Sequence, residues 1–518
     1  MAIWKSFSRH LTGHTHAPSS LSTIWLTPSC NSPHRRRAVS MPTTAHALAL
    51  CLFACSKSPD NEARAIPSQA VAPPAKSASN DPPPVPAERV LTPTLTPLKL
   101  PPSDSALGPR FATGTRAPAL TWIEEATAAS SARIMLSTYS ERGWAPPSSM
   151  VEEPRLLANW ADVPAAHQLP SGQWLLAYPQ HHRESGRDYG LVIAHFDRDL
   201  KRLDRWIPDG VTRGPETGFV DFVGAANGAT LVWLDGRQMR SRDTQPPSAP
   251  QRTEPSHAGP HASHGDETMS LRALRVDDQG RPVGVSTVVD SRTCECCKLD
   301  GAMGADGPWV VYRDREIDER RDIRAASMRP VPAMNAGSDQ GLVVTASRDV
   351  HRDAWMMPGC PVNGPALARS RDGMFVAWFS AADGARRVSI ARSDAASVAF
   401  AEAHRVDLGA PVGRVDLVAL EAGDLVVTWI ETDREHAGRG RLLSRLVSPS
   451  GSVGPPIHIH NIGIGRDWGF PRAHEYGGEL MWIWTNAEGP HTSLEGVRTS
   501  TDSLRKLARA RGFVSPTR

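Results

Sequence analysis

The sequence predicts an all-β protein: a β-propeller of six or seven four-stranded blades, preceded by a disordered Pro/Ala-rich stalk. Three observations lead there. First, an apolar run closed by an aromatic, with a polar or acidic residue two places on, recurs along the body. The copies are LTWIE (Trp122, Glu124), WLLAYPQ (Tyr178, Gln180), LVWLD (Trp233, Asp235), VVYRD (Tyr312, Asp314), VAWFS (Trp378, Ser380), VTWIE (Trp429, Glu431) and WIWTN (Trp484, Asn486). They lie about fifty to eighty residues apart, the spacing of propeller blades and their insertions. Second, an inner-strand element stands upstream of each copy: GPRFA, NWADVP, GFVDF, KLDGA, VNGPA, GRVDL and GFPRA. Third, alternating runs such as ARIMLSTYS, SLRALRVD and RRVSIARS follow most units, and a period of two marks half-buried strands.

The inner elements bring Arg110, Asp162, Asp221, Asp300, Asn363, Asp416 and Arg472 to equivalent places. Arg110 precedes Trp122 by the interval that joins Asp221 to Trp233, Asp300 to Tyr312 and Arg472 to Trp484; Asp416 to Trp429 is one residue longer. An antiparallel hairpin puts the start of its first strand and the end of its second at one end. These residues are therefore expected on one face with Glu124, Asp235, Asp314 and Glu431, ringing a central channel. With Arg237, Arg313 and Arg414 beside them they form the candidate ligand-binding rim. Arginine suits an anionic ligand because its fork donates two parallel hydrogen bonds to a carboxylate. The alternative is equally simple: mouth arginines pair with mouth aspartates around the ring.

Ahead of the body, residues 1–55 read as a leader. Arg35 to Arg37 precede an apolar run ending Leu52-Phe53-Ala54-Cys55, the order of an export signal. The run resembles a bacterial lipoprotein signal, which makes Cys55 the lipid-attachment residue and the cell envelope the destination. Ser56, rather than Asp, after that cysteine points to the outer membrane. Residues 56–105 are rich in Pro, Ala and Ser and read as a disordered linker. The propeller is assigned to 106–500, with 240–268 as a flexible Pro- and His-rich insertion whose His257, His261 and His264 read as solvated rather than metal-binding. The segment 501–518 is a basic tail, either a short helix or a frayed end. The formal charge of +3 calls for no nucleic-acid partner. The expected partners are a polar or carbohydrate ligand and, through the lipid only, a membrane; the chain is read as a monomer without a cofactor.

Taken together, NWADVP, GFVDF, VWLDGR, TCECCKLDGA, VVYRDRE with RRDI, GCPVNGPALA, VAWFSAA, GRVDL and GFPR resemble the sialidase-like, BNR-type propellers of bacteria, in their secreted or lipid-anchored members. The resemblance implies a propeller. As an activity it implies an exo-alpha-sialidase type of glycoside hydrolase, with an arginine cluster, a tyrosine–glutamate pair and an acidic proton donor. STYSERGW (Ser137 to Trp144) and SDAASVAF (Ser393 to Phe400) are degenerate copies of that group's Asp box. No catalytic residue is assigned: Tyr178 and Tyr312 hold the repeat's aromatic place, and no tyrosine stands at a strand mouth beside a glutamate. The first reading is a binding module, with the hydrolase as its alternative.

The segment TCECCKLDGA supplies Cys294, Cys296 and Cys297, and GCPVNGP supplies Cys360. In an exported chain an even cysteine count points to disulfides. Cys297 lies three residues before Asp300 and Cys360 three before Asn363, so a Cys297–Cys360 bridge between adjacent blades is expected, leaving Cys294 with Cys296 or the partners exchanged. A thiolate metal site and a reducible pair are the alternatives.

Overall fold

The computed structural model describes residues 88–518, apart from 104, 128–129, 185, 211–214, 240–267, 332–340, 394–398 and 515–518. The leader, Cys55, most of the stalk and nearly all of the 240–268 insertion lie outside the described residues.

The apolar runs ending in the repeat aromatics form strands buried along their whole length, as in Ala119–Glu124, Gly228–Asp235 and Gly373–Ser380. Continuous burial on both faces explains why they read as unbroken apolar runs and not as alternation. Each is the second strand of a sheet, and there are seven sheets. Blade 1 holds Ala106–Phe111, Ala119–Glu124 and Arg133–Ser140, edged by Gly143–Trp144 and Ser148–Glu152. Blade 2 spans Ala165–Gln168 to Arg202–Trp206, and blade 3 spans Thr217–Ala225 to Pro282–Thr293. Blade 4 spans Asp300–Met303 to Leu342–His351, and blade 5 spans Ala366–Ser370 to His404–Arg405. Blade 6 spans Pro411–Ala419 to Ile457–Gly463; blade 7 holds Arg472–Tyr476, Glu479–Asn486 and Ser493–Ser500. The protein is thus an all-β, seven-bladed propeller.

Buried ring donors need partners, and the acid two places after the aromatic supplies them. Trp233 Nε1 donates to Asp235 at 2.9 Å, Trp429 Nε1 to Glu431 at 2.8 Å and Trp122 Nε1 to Glu124 at 3.4 Å. Three other blades reach back instead to the preceding blade's outer part. Tyr178 bonds Glu153 at 3.3 Å, Tyr312 bonds Asp290 at 2.6 Å and Trp378 bonds Asp353 at 2.7 Å. Trp484 stacks on His460 of blade 6, with ring centroids 4.6 Å apart. The recurrent aromatic–acid pair is therefore core chemistry first. The two degenerate boxes follow third strands: Tyr139 pairs Trp144 in blade 1, and Ser393 bridges Phe400 in blade 5, with residues 394–398 between them outside the described residues.

The ring is closed by residues the sequence assigns to the linker. Thr96–Pro97 pairs with Arg498 and Val497 as the outer strand of blade 7. Just before it, Leu91 exchanges backbone hydrogen bonds with Pro456 and His458 of blade 6, both 2.8 Å, and Glu88 pairs with Arg445 at 2.6 Å. A proline is admissible here because an edge strand needs no further N–H donor. The basic tail begins as a helix, Thr501–Arg509, capped by Ser500; Leu504 and Ala508 are buried, and Arg505 Nε donates to Asp424 at 2.7 Å.

A chain starting at residue 102 lacks this closing segment. Its urea unfolding midpoint is expected below that of a chain starting at residue 88; equal midpoints would show that the segment does not close the ring.

Candidate functional site at the channel mouth

Strand register defines the mouth. Arg110, Asp221, Asp300, Asp416 and Arg472 each lie opposite the residue that precedes the repeat aromatic: Thr121, Val232, Val311, Thr428 and Ile483. The extra residue between Asp416 and Trp429 therefore falls in the turn, not in the ladder. In blades 2 and 5 the corresponding places are Ala165 and Ala366, opposite Ala177 and Ala377. Asp162 and Asn363 stand three residues earlier, one layer nearer the opening.

In this register the predicted acids follow one rule: each accepts a backbone N–H of the next blade. In the deeper layer Asp221 accepts from Gly301 at 2.9 Å, Asp300 from Leu367 at 2.9 Å and Asp416 from Ala473 at 2.8 Å. Nearer the opening Asp162 accepts from Phe219 at 2.7 Å and Asn363 from Arg414 at 2.8 Å. Phe219 and Arg414 have φ of 48° and 54° and lie within breaks of the strand ladder. Such irregularities release an N–H from its own sheet.

The arginines are also engaged. Arg110 donates to Asp221 at 2.5 Å and to Val220 O at 2.8 Å; Arg472 meets Asp416 at 3.3 Å. Arg414 donates to Gly469 O and Ile464 O and lies over Trp160; burial lowers it to about 10. Arg313 donates to the carbonyls of Asn363, Arg321 and Phe379 and lies over Trp355. Arg237 bonds Asp235 and Asp209. Burial opposes ionisation of Asp235, but donation from Arg237 and Trp233 outweighs it and holds the carboxyl below the usual range. Asp314 is raised to about 7 by burial and by nearby Asp290.

Lys298, which the sequence reading passes over, completes the mouth. It occupies the place of Phe219 and Arg414, two residues before the ladder position, and its Nζ donates to Pro365 O at 2.6 Å. Aligning KLDGA with GRVDL in this register would have revealed it. Burial pushes Lys298 down and Asp300 up. Arg110, Lys298 and Arg472 line, with Asp300 as the acid, a cavity of about 20 Å³. That is room for about one water or one ligand oxygen.

A second group escaped the sequence reading because no repeat register links its members. The Tyr189 hydroxyl donates to Glu216 at 2.6 Å and lies against Asp162. All three are buried, and burial raises Asp162 to about 7.

The cysteines differ from expectation. None of the four is bonded to another: Cys294 Sγ stands 3.4 Å from Cys297 Sγ and 3.8 Å from Cys296 Sγ. The expected Cys297–Cys360 bridge assumed that Asn363 is the equivalent of Asp300. The ladder shows instead that Asn363 is the equivalent of Cys297, and its backbone N–H lies near the Cys297 sulfur. Cys360 is exposed and approaches Cys296. Burial raises Cys294 to about 11.

No protein-family model and no curated protein matches the chain. Among solved structures it is similar to the NanB sialidase of Streptococcus pneumoniae, with 11% identity over 79% of this chain and 71% of that one, TM-score 0.37. It is similar to the Trypanosoma rangeli sialidase at 9% identity over 82% and 60%, TM-score 0.37. It is also similar to an alpha-L-arabinofuranosidase of Fusarium graminearum at 11% over 79% and 98%, TM-score 0.41. At these values the likenesses decide nothing about ligand or chemistry, and the blade count rests on strand pairing alone.

The pH dependence of stability tests the mouth. With Asp162 at about 7 in the fold against 3.8 as a free carboxyl, the folded chain keeps a proton between those values that the unfolded chain gives up. Its contribution is full below the lower value and falls as pH rises through the window. Asp162→Asn keeps the acceptor for Phe219 without that loss. Its urea stability relative to the parent is expected to rise from pH 5 to pH 8 by on the order of a few kcal/mol. Parallel pH profiles would show that Asp162 ionises freely in the fold.

Proposed function

We propose that the propeller is a binding module for an anionic glycan or a related polar ligand, held by its acidic group at the channel mouth. The observation that carries this is the lining of the small cavity: Arg110, Lys298 and Arg472 against Asp300 alone among acids. Burial weakens the ionisation of Asp300, so an entering oxyanion would be met by Lys298 and by Arg110 and Arg472, which it would share with Asp221 and Asp416. The volume admits one ligand oxygen, and the remainder of the ligand rests on the mouth face. Charge-assisted hydrogen bonds of this kind gain strength away from water.

Calorimetric titration with sialic acid, glucuronate and glucose tests it. The two acids are expected to bind, with affinity falling as salt is added, and Arg472→Ala is expected to weaken them at least tenfold. Equal binding of glucose, or no effect of the substitution, would remove the mouth as the site.

The hydrolase reading keeps one observation, the Tyr189–Glu216 pair at 2.6 Å beside Asp162. A tyrosine nucleophile is activated by such a neighbouring base, but here the pair is enclosed. Release of methylumbelliferone from its sialoside is expected to stay at background. Turnover abolished by Tyr189→Phe would replace the binding reading.

We place the protein in the bacterial envelope, tethered by a lipid on Cys55 and the Pro-rich segment after it. Incorporation of an alkyne-labelled fatty acid that disappears in Cys55→Ala is the expected result; unchanged incorporation would exclude Cys55.

A further inference from the structure

The segment from Cys294 to Leu299 carries the chain from blade 3 into blade 4, and its three sulfurs turn toward one another there. We infer that Cys294, Cys296 and Cys297 form the binding site of a thiophilic d10 cation, copper(I) or zinc(II), and that exposed Cys360, which stands outside this group of three, closes on bound zinc as a fourth ligand.

The spacing supports ligation. All three sulfurs lie within 4.8 Å of one another, with two separations of 3.4 and 3.8 Å. Metal–thiolate bonds of about 2.3 Å set sulfurs about 3.8 Å apart in a tetrahedron and about 4.0 Å apart in a trigonal plane. A disulfide would instead draw one pair to about 2.05 Å and leave the third sulfur over. Cys294 and Cys297 also have the two-residue interval of zinc-binding cysteine pairs, and Cys296 projects into the same space from between them.

The surroundings suit an anionic cluster. Arg321 Nη1 donates to Cys294 Sγ at 3.2 Å and is itself held by Glu295 and Glu319. Arg313, held by three backbone carbonyls, lies close to Cys297. The Asn363 N–H lies near the Cys297 sulfur. These are outer contacts of the kind that orient metal ligands and tune them. Soft thiolates select copper(I) and zinc over hard cations. Three sulfurs suffice for copper(I), whereas a closed tetrahedral zinc site needs the fourth from Cys360. Cys294 and Cys297 are buried while Cys360 is exposed, so the ion enters from the Cys360 side. Each thiol that binds as thiolate releases one proton to solvent.

The test uses the purified chain, reduced and kept free of oxygen. Copper(I) is titrated against bicinchoninate, and zinc(II) against a chromophoric chelator. One ion per chain is expected. Cys296→Ser should weaken both at least a hundredfold, and Cys360→Ser should weaken zinc while leaving copper(I) within a few-fold. Metal-free unfolding midpoints equal to the parent's keep a folding defect apart from lost ligation. Failure to compete with either chelator would overturn the site. So would affinity unchanged in the Cys296→Ser/Cys360→Ser double variant, or a Cys294–Cys297 disulfide in the oxygen-free chain.

Discussion

The interaction on which the ring depends is a side-chain oxygen of one blade accepting a backbone N–H of the next. Asp162, Asp221, Asp300, Asn363 and Asp416 repeat it from blade 2 to blade 7. The innermost strands face a crowded axis where water cannot satisfy every N–H, and an unpaired buried donor costs about 1–3 kcal/mol. A carboxylate or amide from the neighbouring blade removes that cost and sets the angle between sheets. The left-handed residues Phe219 and Arg414 make the donors available.

A second tier lies farther from the axis. The aromatic that closes each second strand fills the space between sheets, and in six blades its ring donor is met by an acid from its own strand or from the blade before, whereas Trp484 Nε1 is buried without a partner among the described residues. Blade contacts are thus apolar through most of their depth and polar at defined points. The mouth charges follow from the same economy of partners: Arg110 and Arg472 neutralise Asp221 and Asp416, and Lys298 stands close to Asp300. Between these pairs lies the small cavity lined by Arg110, Lys298, Asp300 and Arg472.

The cysteine cluster occupies the same architecture at a different point. Cys297 holds the place, three residues before the first ladder pair, that Asp162 and Asn363 hold in their blades. That substitution exchanges a hard oxygen for a soft ligand, and it brings two more sulfurs with it. The surrounding arginines are fixed by carbonyls and glutamates, so the positive field around the sulfurs is built into the fold.

The propeller, the strand pairs and the mouth acids were legible in the sequence because the repeat aromatic is spaced by strand geometry, which is local; the choice between six and seven blades was made by the strand pairing. Glu124, Asp235 and Glu431 were visible for the same reason, although their bond to the indole was not. What the sequence could not hold was everything that depends on register between blades. Asn363 and Asp162 look like partners of Asp300 in a linear alignment, yet they stand one layer nearer the opening, and the Cys297–Cys360 pairing failed on that displacement. Lys298 stood in plain register with Arg414 and was passed over. Tyr189 opens a strand of blade 2 and Glu216 stands just before the first strand of blade 3, with no shared interval, and Thr96–Pro97 comes from a Pro-rich stretch whose composition reads as linker. The repeat by itself determined the kind of fold and brought most of the mouth residues to one end of their strands. Only the closed ring decided which side chains meet there, because contacts between blades are set by how seven sheets pack around one axis and not by spacing along the chain.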